Sequence, residues 1–229
     1  MLPLQVEKVA LMGIKSHIES GKYSVVVANG EFPQSGRLRQ LIGDAEIVIS
    51  GDGATMALEE YGREPDFIVG DMDSLPTDIA KRYGNKVIHV TDQETNDLTK
   101  CVRHAFSLGI ENLYIVGATG KREDHTLGNI SLLTAYRGMF KQLRMVSDYG
   151  TFIAIRETTT FEAEKGCQVS IIALPPIARM TFHGLKYPIK EYAPLIWWEA
   201  TLNEVLESEF TIELHDKGDV LIYISNERK

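Results

Sequence analysis

Two aspartates, Asp71 and Asp73, stand one residue apart directly behind the apolar run Phe67–Gly70. In extended chain, residues i and i+2 point the same way, so both carboxylates can share one face. Like charges held together repel unless a cation lies between them. Mg²⁺ takes carboxylate oxygens and bridges to substrate phosphates. The competing reading is a solvated turn ahead of Pro76, with Asp73 and Ser74 as turn formers. Asp97 and Lys100 form a second pair, spaced i, i+3 and off the apolar face of a helix. Asn96 and Asp97 suit a helix start through capping and the dipole, which leaves Lys100 a plain ion-pair partner. The functional alternative puts Asp97 on a metal and Lys100 on a phosphate. The third group is Gly117-Ala118-Thr119-Gly120-Lys121-Arg122-Glu123-Asp124-His125, between a strand and a helix. Small residues there let backbone N–H groups approach an anion at a helix N-terminus. Lys121 and Arg122 add positive charge. It is not a Walker A loop, because Arg122 rather than Ser or Thr follows Lys121. The bland reading is a tight turn with Asp124 as N-cap and His125 in a packing or capping role.

The elements that must position these residues alternate. Short β-rich runs cover Tyr23–Ala28, Ala45–Ser50, Phe67–Gly70, Lys86–Val90, Asn112–Val116 and Leu143–Val146, each ending at a turn or polar residue. Leu98, Cys101, Val102, Ala105 and Phe106 form a helical stripe closed by Gly109. A second helix over His125–Tyr136 turns Leu127, Ile130, Leu133 and Thr134 inward. This alternation predicts an α/β fold: a mainly parallel, Rossmann-like sheet with helices on both faces. Ligands of such sheets bind beyond the carboxyl ends of the strands, where Asp52, Asp71, Asp73, Asp92 and Asp97 fall. From Thr151 the period changes to short strands: Phe152–Ile155, Val169–Leu174, Met180–Phe182, Phe210–Leu214 and Val220–Ile224. They predict a smaller antiparallel β-sandwich or barrel. The boundary falls near Gly150, giving an α/β domain over 1–150 and a β-domain over 151–229.

At 229 residues, 44% hydrophobic and 24% charged, the chain is neither disordered nor a coiled coil. Its net charge of −8 argues against nucleic-acid binding, which needs a basic footprint. Cys101 and Cys167 are too few for a disulfide framework, and Cys101 reads as a buried thiol. Met1–Ile14, interrupted by Glu7 and Lys8, does not read as a signal peptide. No run approaches the ~18 apolar residues of a membrane helix. The expected compartment is the cytoplasm.

Taken in order, the motifs resemble those of the thiamine pyrophosphokinase family. Pro65-Asp66-Phe67-Ile68-Val69-Gly70-Asp71-Met72-Asp73-Ser74 fits its P-D-x-[IV]-x-G-D-x-D-S signature. The run Asp92 to Lys100 resembles D-Q-[DE]-x-T-D-[FL]-x-K, with Asn96 where Thr is common. Gly117 to His125 fits G-x-x-G-x-R-x-D-H, and Gly184-Leu185-Lys186-Tyr187 resembles G-L-[KR]-[YW]. The chain departs at Gly51-Asp52-Gly53-Ala54, where the family reads Asp-Gly-Gly-Ala, and at Leu202-Asn203, where Ser-Asn is usual. Thr201 is then the nearest hydroxyl. Trp197-Trp198 replaces a short Gly/Ser-containing segment.

The resemblance implies transfer of the diphosphoryl group of ATP to thiamine, giving thiamine diphosphate and AMP. It implies that Asp71, Asp73 and Asp97 hold Mg²⁺, and that Gln93, Lys100 and Arg122 contact phosphates. Gly117, Gly120 and Asp124 fall on the nucleotide side of that scheme, and Asp71 or Asp97 assists loss of the alcohol proton. It also implies a homodimer with thiamine between the subunits, lined by Asn203 and by Trp198 or Tyr223. The alternative for the two tryptophans is core or dimer packing. Two other functions compete. One is an Asp-x-Asp phosphohydrolase of the haloacid-dehalogenase type, although Leu75 stands where that pattern wants Thr or Val. The other is a non-catalytic nucleotide or thiamine binder.

Overall fold

The computed structural model describes residues 7–10 and 22–228. Most of Met1–Ile14, and with it the reading of that stretch, lies outside the described residues. The chain forms two compact units, Gly21–Asp148 and Tyr149–Lys229, the latter joined by the strand β1 (Glu7–Ala10).

The first unit carries β2 (Ser24–Val27), α1 (Gly36–Gly43), β3 (Ile47–Gly51), α2 (Thr55–Tyr61), β4 (Phe67–Gly70) and α3 (Thr77–Tyr83). β5 (Val87–His89), α4 (Asp97–Ser107), β6 (Asn112–Val116), α5 (Glu123–Tyr136) and β7 (Gln142–Val146) follow. Its strands pair in parallel in the order β7-β6-β2-β3-β4-β5. The chain runs outward from β2 to β5, then crosses back to β6 and β7. The direction reverses between β2 and β6, and such a reversal opens a crevice at the carboxyl ends of the two strands. The strands read as apolar runs because helices cover them: β2 is buried throughout, and α4 packs across β2, β3 and β4.

The two helical stripes need adjustment. On α4, Leu98, Cys101, Val102 and Ala105 are buried, but Phe106 is half exposed and meets Phe140 edge-on. On α5 only Leu133 and Tyr136 are buried, and Leu127 is 53% exposed. Contacts with β7 and α4 come from this helix, and its burial lies in its second half rather than along a continuous stripe.

The second unit contains β8 (Gly150–Ile155), β9 (Thr159–Glu162), β10 (Cys167–Leu174), β11 (Met180–His183), β12 (Asn203–Glu204), β13 (Glu209–Leu214) and β14 (Asp219–Arg228). β12-β10-β14-β8 pair antiparallel. The other sheet runs β1-β9-β13-β11. Burial alternates along β10, as it does when one sheet face meets a core. Ile171, Ile222 and Val220 meet Phe161, Phe210 and Ile212 in that core, with Phe161 stacked on Phe210 at 4.9 Å. β1 precedes the α/β unit in the sequence yet pairs in parallel with β9 of the second unit. A pairing between segments some 150 residues apart leaves no trace in local periodicity.

Candidate active site

The acidic residues gather at the carboxyl edge of the parallel sheet. Gly51 ends β3, and the turn Asp52–Ala54 carries Asp52 inward, where it is 2% exposed. Its Oδ1 accepts from Gly53 N–H at 2.7 Å and its Oδ2 from Met72 N–H at 3.1 Å. Gly70, at the end of β4, is required here: a Cβ there would stand 2.7 Å from Asp52 Cγ. Met72 then takes a left-handed conformation at φ 71°, so Asp71 and Asp73 flank a bend. Carboxylate oxygens of Asp52, Asp71 and Asp73 all lie within 4.8 Å of one another. The structure thus adds Asp52 to the strand-end pair despite its shifted place in the sequence.

Asp97 reaches this group through Lys100. The Lys100 ammonium donates to Asp97 Oδ1 at 3.0 Å and Asp71 Oδ2 at 3.4 Å. Its side chain is only 3% exposed, so the ion-pair partner that the spacing suggests is a buried one. The long stem packs inward while the charge finds two carboxylates. Gln93 Nε2 donates to the same Asp71 Oδ2 at 3.2 Å. Asn96 caps α4 as expected, accepting from Thr99 N–H at 2.9 Å.

Charge and burial oppose each other here. Burial pushes the Asp52 carboxyl above its ordinary range, and the charges of Asp97 and Asp71 push it further. The N–H of Asp73, the Gln93 amide and Lys100 hold Asp71 low. Burial works against the Lys100 charge, but Asp97 and Asp71 outweigh it and its pKa is raised.

The Gly117–Arg122 loop lies at the strand-order reversal. Its carbonyls are claimed one after another: Gly117 O by Gly30 N–H, Ala118 O by Asn129 Nδ2 at 2.8 Å, Thr119 O by Glu31 N–H at 2.8 Å, Gly120 O by Thr126 Oγ1 at 3.3 Å. Gly117 and Gly120 take φ of 64° and 79°. Lys121 folds back onto Asn29, donating to its O at 3.0 Å and its Oδ1 at 3.1 Å. Arg122, not Asp124, occupies the N-cap position of α5. Arg122 Nε donates to Asp124 Oδ1 at 3.1 Å, and this partner holds the Asp124 carboxyl down to about 2. His125 is exposed. In the sequence Asn129 marks only a helical position, and its hydrogen bond to Ala118 O needs the loop's fold.

In the second unit, Asn203 is buried and spends its amide on the backbone. Its Oδ1 accepts from Tyr187 N–H at 3.0 Å and Glu204 N–H at 2.9 Å, while Nδ2 donates to Tyr187 O at 2.8 Å. It borders a concave site of about 470 Å³ lined also by Phe182, Tyr187, Trp198, Thr201 and Leu202. Trp197 and Trp198 are 50% and 70% exposed, so neither is a core residue of this chain. Thr201 Oγ1 is engaged with Trp198 O at 2.8 Å. Leu202 is left-handed at φ 55°, with its N–H on Ser170 Oγ at 3.1 Å. Tyr223 packs against Phe152 on neighbouring strands, ring centroids 4.6 Å apart.

Among the described residues no helix is long and apolar enough to cross a membrane. Cys101 is buried, its thiol pointing at Val69 O at 3.6 Å.

Two family models match the sequence: thiamin pyrophosphokinase, catalytic domain, over residues 38–147, and thiamin pyrophosphokinase, substrate-binding domain, over residues 150–223. Among curated relatives, thiamine pyrophosphokinase 1 of Oryza sativa subsp. japonica is 28% identical over 235 residues, covering 90% of this chain and 88% of its own. Thiamine pyrophosphokinase 2 of Arabidopsis thaliana is 33% identical over 183 residues, 71% of this chain and 66% of its own. The solved thiamin pyrophosphokinase from Candida albicans matches with a TM-score of 0.78 at 18% identity, over 99% of this chain and 95% of that one. That last likeness speaks for the fold. With both domain models matched in order along the sequence, the chain belongs to the thiamine pyrophosphokinase family.

Proposed function

We propose that this chain transfers the diphosphoryl group of ATP to the hydroxyl of thiamine, releasing thiamine diphosphate and AMP. The observation that carries the reading is the carboxylate group of Asp52, Asp71 and Asp73, with Lys100 joining it to Asp97. These residues suit Mg²⁺: three hard oxygen donors converge, and Asp52 is a buried charge with like charges beside it. Asp71, Asp73 and Asp97 are the ligands that the family resemblance suggests, and Asp52 joins them on geometry. When bound, the ion neutralises phosphate charge.

The alcohol oxygen attacks the β-phosphorus, the bond from that phosphorus to the bridging oxygen breaks, and AMP leaves. Such transfers rest on positioning and charge stabilisation. Lys100, held protonated between Asp97 and Asp71, and Gln93, on the same Asp71 oxygen, supply fixed donors on the phosphate side. Arg122 exchanges Asp124 for a phosphate oxygen, and Gly117 and Gly120 shape the loop that admits it. An aspartate, Asp71 or Asp97, takes the alcohol proton. Asn203 holds the Tyr187 backbone while the exposed Trp198 face receives the cationic acceptor. The same reading carries a homodimer sharing its active sites between subunits, and a cytoplasmic location.

The phosphohydrolase and the non-catalytic binder are not favoured by the family match. The test is incubation with ATP, Mg²⁺ and thiamine followed by nucleotide chromatography. Thiamine-dependent AMP is expected. Phosphate or ADP formed without thiamine, or no turnover, refutes the transfer.

A further inference from the structure

We propose that Asn96 and Asn129 are positioning residues, an amide relay that fixes the Gly117–Arg122 loop against the helix start bearing Asp97 and Lys100. The kinetic part of this inference rests on the transfer proposed above; the structural part does not.

Each amide offers one oxygen acceptor and two N–H donors. Asn96 Oδ1 is taken on α4 itself, by Thr99 N–H at 2.9 Å and Thr99 Oγ1 at 2.8 Å. That assignment leaves its Nδ2 to donate to Asn129 Oδ1 at 3.0 Å. Asn129 Nδ2 then donates to Ala118 O at 2.8 Å. At its other end the chain reaches Thr99 Oγ1 and Tyr136 OH, 2.6 Å apart. Flipping either amide would set donor against donor, so the polarity of the relay is fixed by its ends.

The relay joins the two halves of the site. α4 follows β5 and delivers Asp97 and Lys100, while the loop follows β6 on the far side of the strand-order reversal. Gly30, Glu31 and Thr126 hold the neighbouring carbonyls of the loop. Of the four anchors, Asn129 is the one whose partner caps the helix of Asp97. The loop has reason to need it. Lys121, a non-glycine residue, is left-handed at φ 56°, and such backbone persists only where the surroundings over-determine it. Ala118 is 3% exposed, so water is a poor substitute for the Asn129 donor. Thr or Ser at 96 would still cap the helix, but a hydroxyl on Cβ is an atom shorter than the amide nitrogen. Capping alone therefore does not explain the asparagine, whereas the relay does.

The test uses Asn129→Leu, which keeps the shape and removes the donor, Asn96→Ser, which keeps the cap, and the double variant. Loop exchange is measured on the ligand-free chain as the amide hydrogen exchange of Gly30 and Glu31, whose N–H groups donate to the loop carbonyls of Gly117 and Thr119, with melting temperature alongside. Each single variant is expected to speed loop exchange about tenfold, the effect of one lost hydrogen bond, with α4 protection and melting temperature unchanged in Asn96→Ser. The double variant is expected to be no worse than either single, because one relay is broken once. In turnover, KM for ATP rises about tenfold while KM for thiamine holds. Unchanged loop exchange in either single variant, or effects that multiply in the double, would overturn the relay. Wild-type chain without thiamine-dependent AMP refutes the transfer instead, and leaves the exchange result to stand or fall alone.

Discussion

Asp52→Asn asks whether the buried third carboxylate belongs to the cation site. Without metal, two effects compete. The aspartate accepts from Gly53 N–H and Met72 N–H with separate oxygens. An asparagine keeps one oxygen and turns an NH₂ toward the other donor, and a buried unsatisfied group costs about 1–3 kcal/mol. Removing a charge that burial, Asp97 and Asp71 all disfavour offsets part of that. The net loss is on the order of 1 kcal/mol, or ~3 °C in melting temperature for a chain of this size.

Mg²⁺ separates this from a purely structural role. A ligand that binds only the folded state stabilises by RT ln(1 + [L]/Kd), about 2.7 kcal/mol at a hundredfold excess over Kd. At the same scaling that is an upward shift of ~8 °C. If removing one of three carboxylates weakens binding by about tenfold, the same Mg²⁺ concentration leaves about 1.4 kcal/mol, or ~4 °C. The assay is a thermal melt across a Mg²⁺ series. Asp78→Asn, exposed in the first turn of α3, is the control and keeps the full shift. An Asp52→Asn chain that responds to Mg²⁺ as the wild type does would remove Asp52 from the site.

Lys100→Met is expected to lower kcat by about 10²-fold or more, the usual scale for a lost charge-stabilising donor, without shrinking the Mg²⁺ shift, since a repelling cation has gone; a shrunken shift would make Lys100 a scaffold for the carboxylates. His104 packs edge-on to Phe67 at 4.8 Å with its Nε2 buried and unpartnered among the described residues. Burial lowers its pKa from 6.5. A depressed folded pKa means that its contribution to stability is present above the unfolded value and is lost as pH falls below it. His104→Phe should therefore melt less acid-sensitively below pH 6.5, and an unchanged slope of melting temperature against pH refutes the assignment. Trp198→Ala should raise KM for thiamine about fivefold through the lost cation–π contact, with KM for ATP steady; equal rises in both would place Trp198 outside the acceptor site.

Strand ends and helix caps are local events, and those features of the site were legible. Asp71 and Asp73 follow an apolar run, Asn96 precedes an apolar stripe, and each stands where its neighbours say. Asp52 was legible as a strand-end aspartate, but not as a partner of Asp71 and Asp73. Its displaced place in Gly51-Asp52-Gly53 has meaning only once a tight turn folds it back and a glycine at 70 leaves room for its carboxylate. The burial of Lys100 was not legible, for a related reason. Helical periodicity assigns a face by the position of Cβ, whereas a lysine's charge sits far along a flexible stem and goes where partners are. β1 shows the same limit at longer range, since its partner β9 belongs to the other end of the chain.

The common cause is topology. In a parallel sheet that reverses strand order, residues from β3, β4, α4 and the loops after β2 and β6 meet at one edge, although they span Asn29 to Asp124 in sequence. Each contributes a short, locally readable motif, but how they combine is decided by the strand order. The relay through Asn96 and Asn129 illustrates this. Asn129 marks only a helical position in the sequence, and Asn96, although it stands where Thr is common in the motif, passes for a routine cap. Only the adjacency of α4, α5 and the Gly117 loop turns them into a connection. Residues of this kind touch no reactant, so they are the ones that motif reading overlooks. They are also the ones on which a reaction driven by positioning depends.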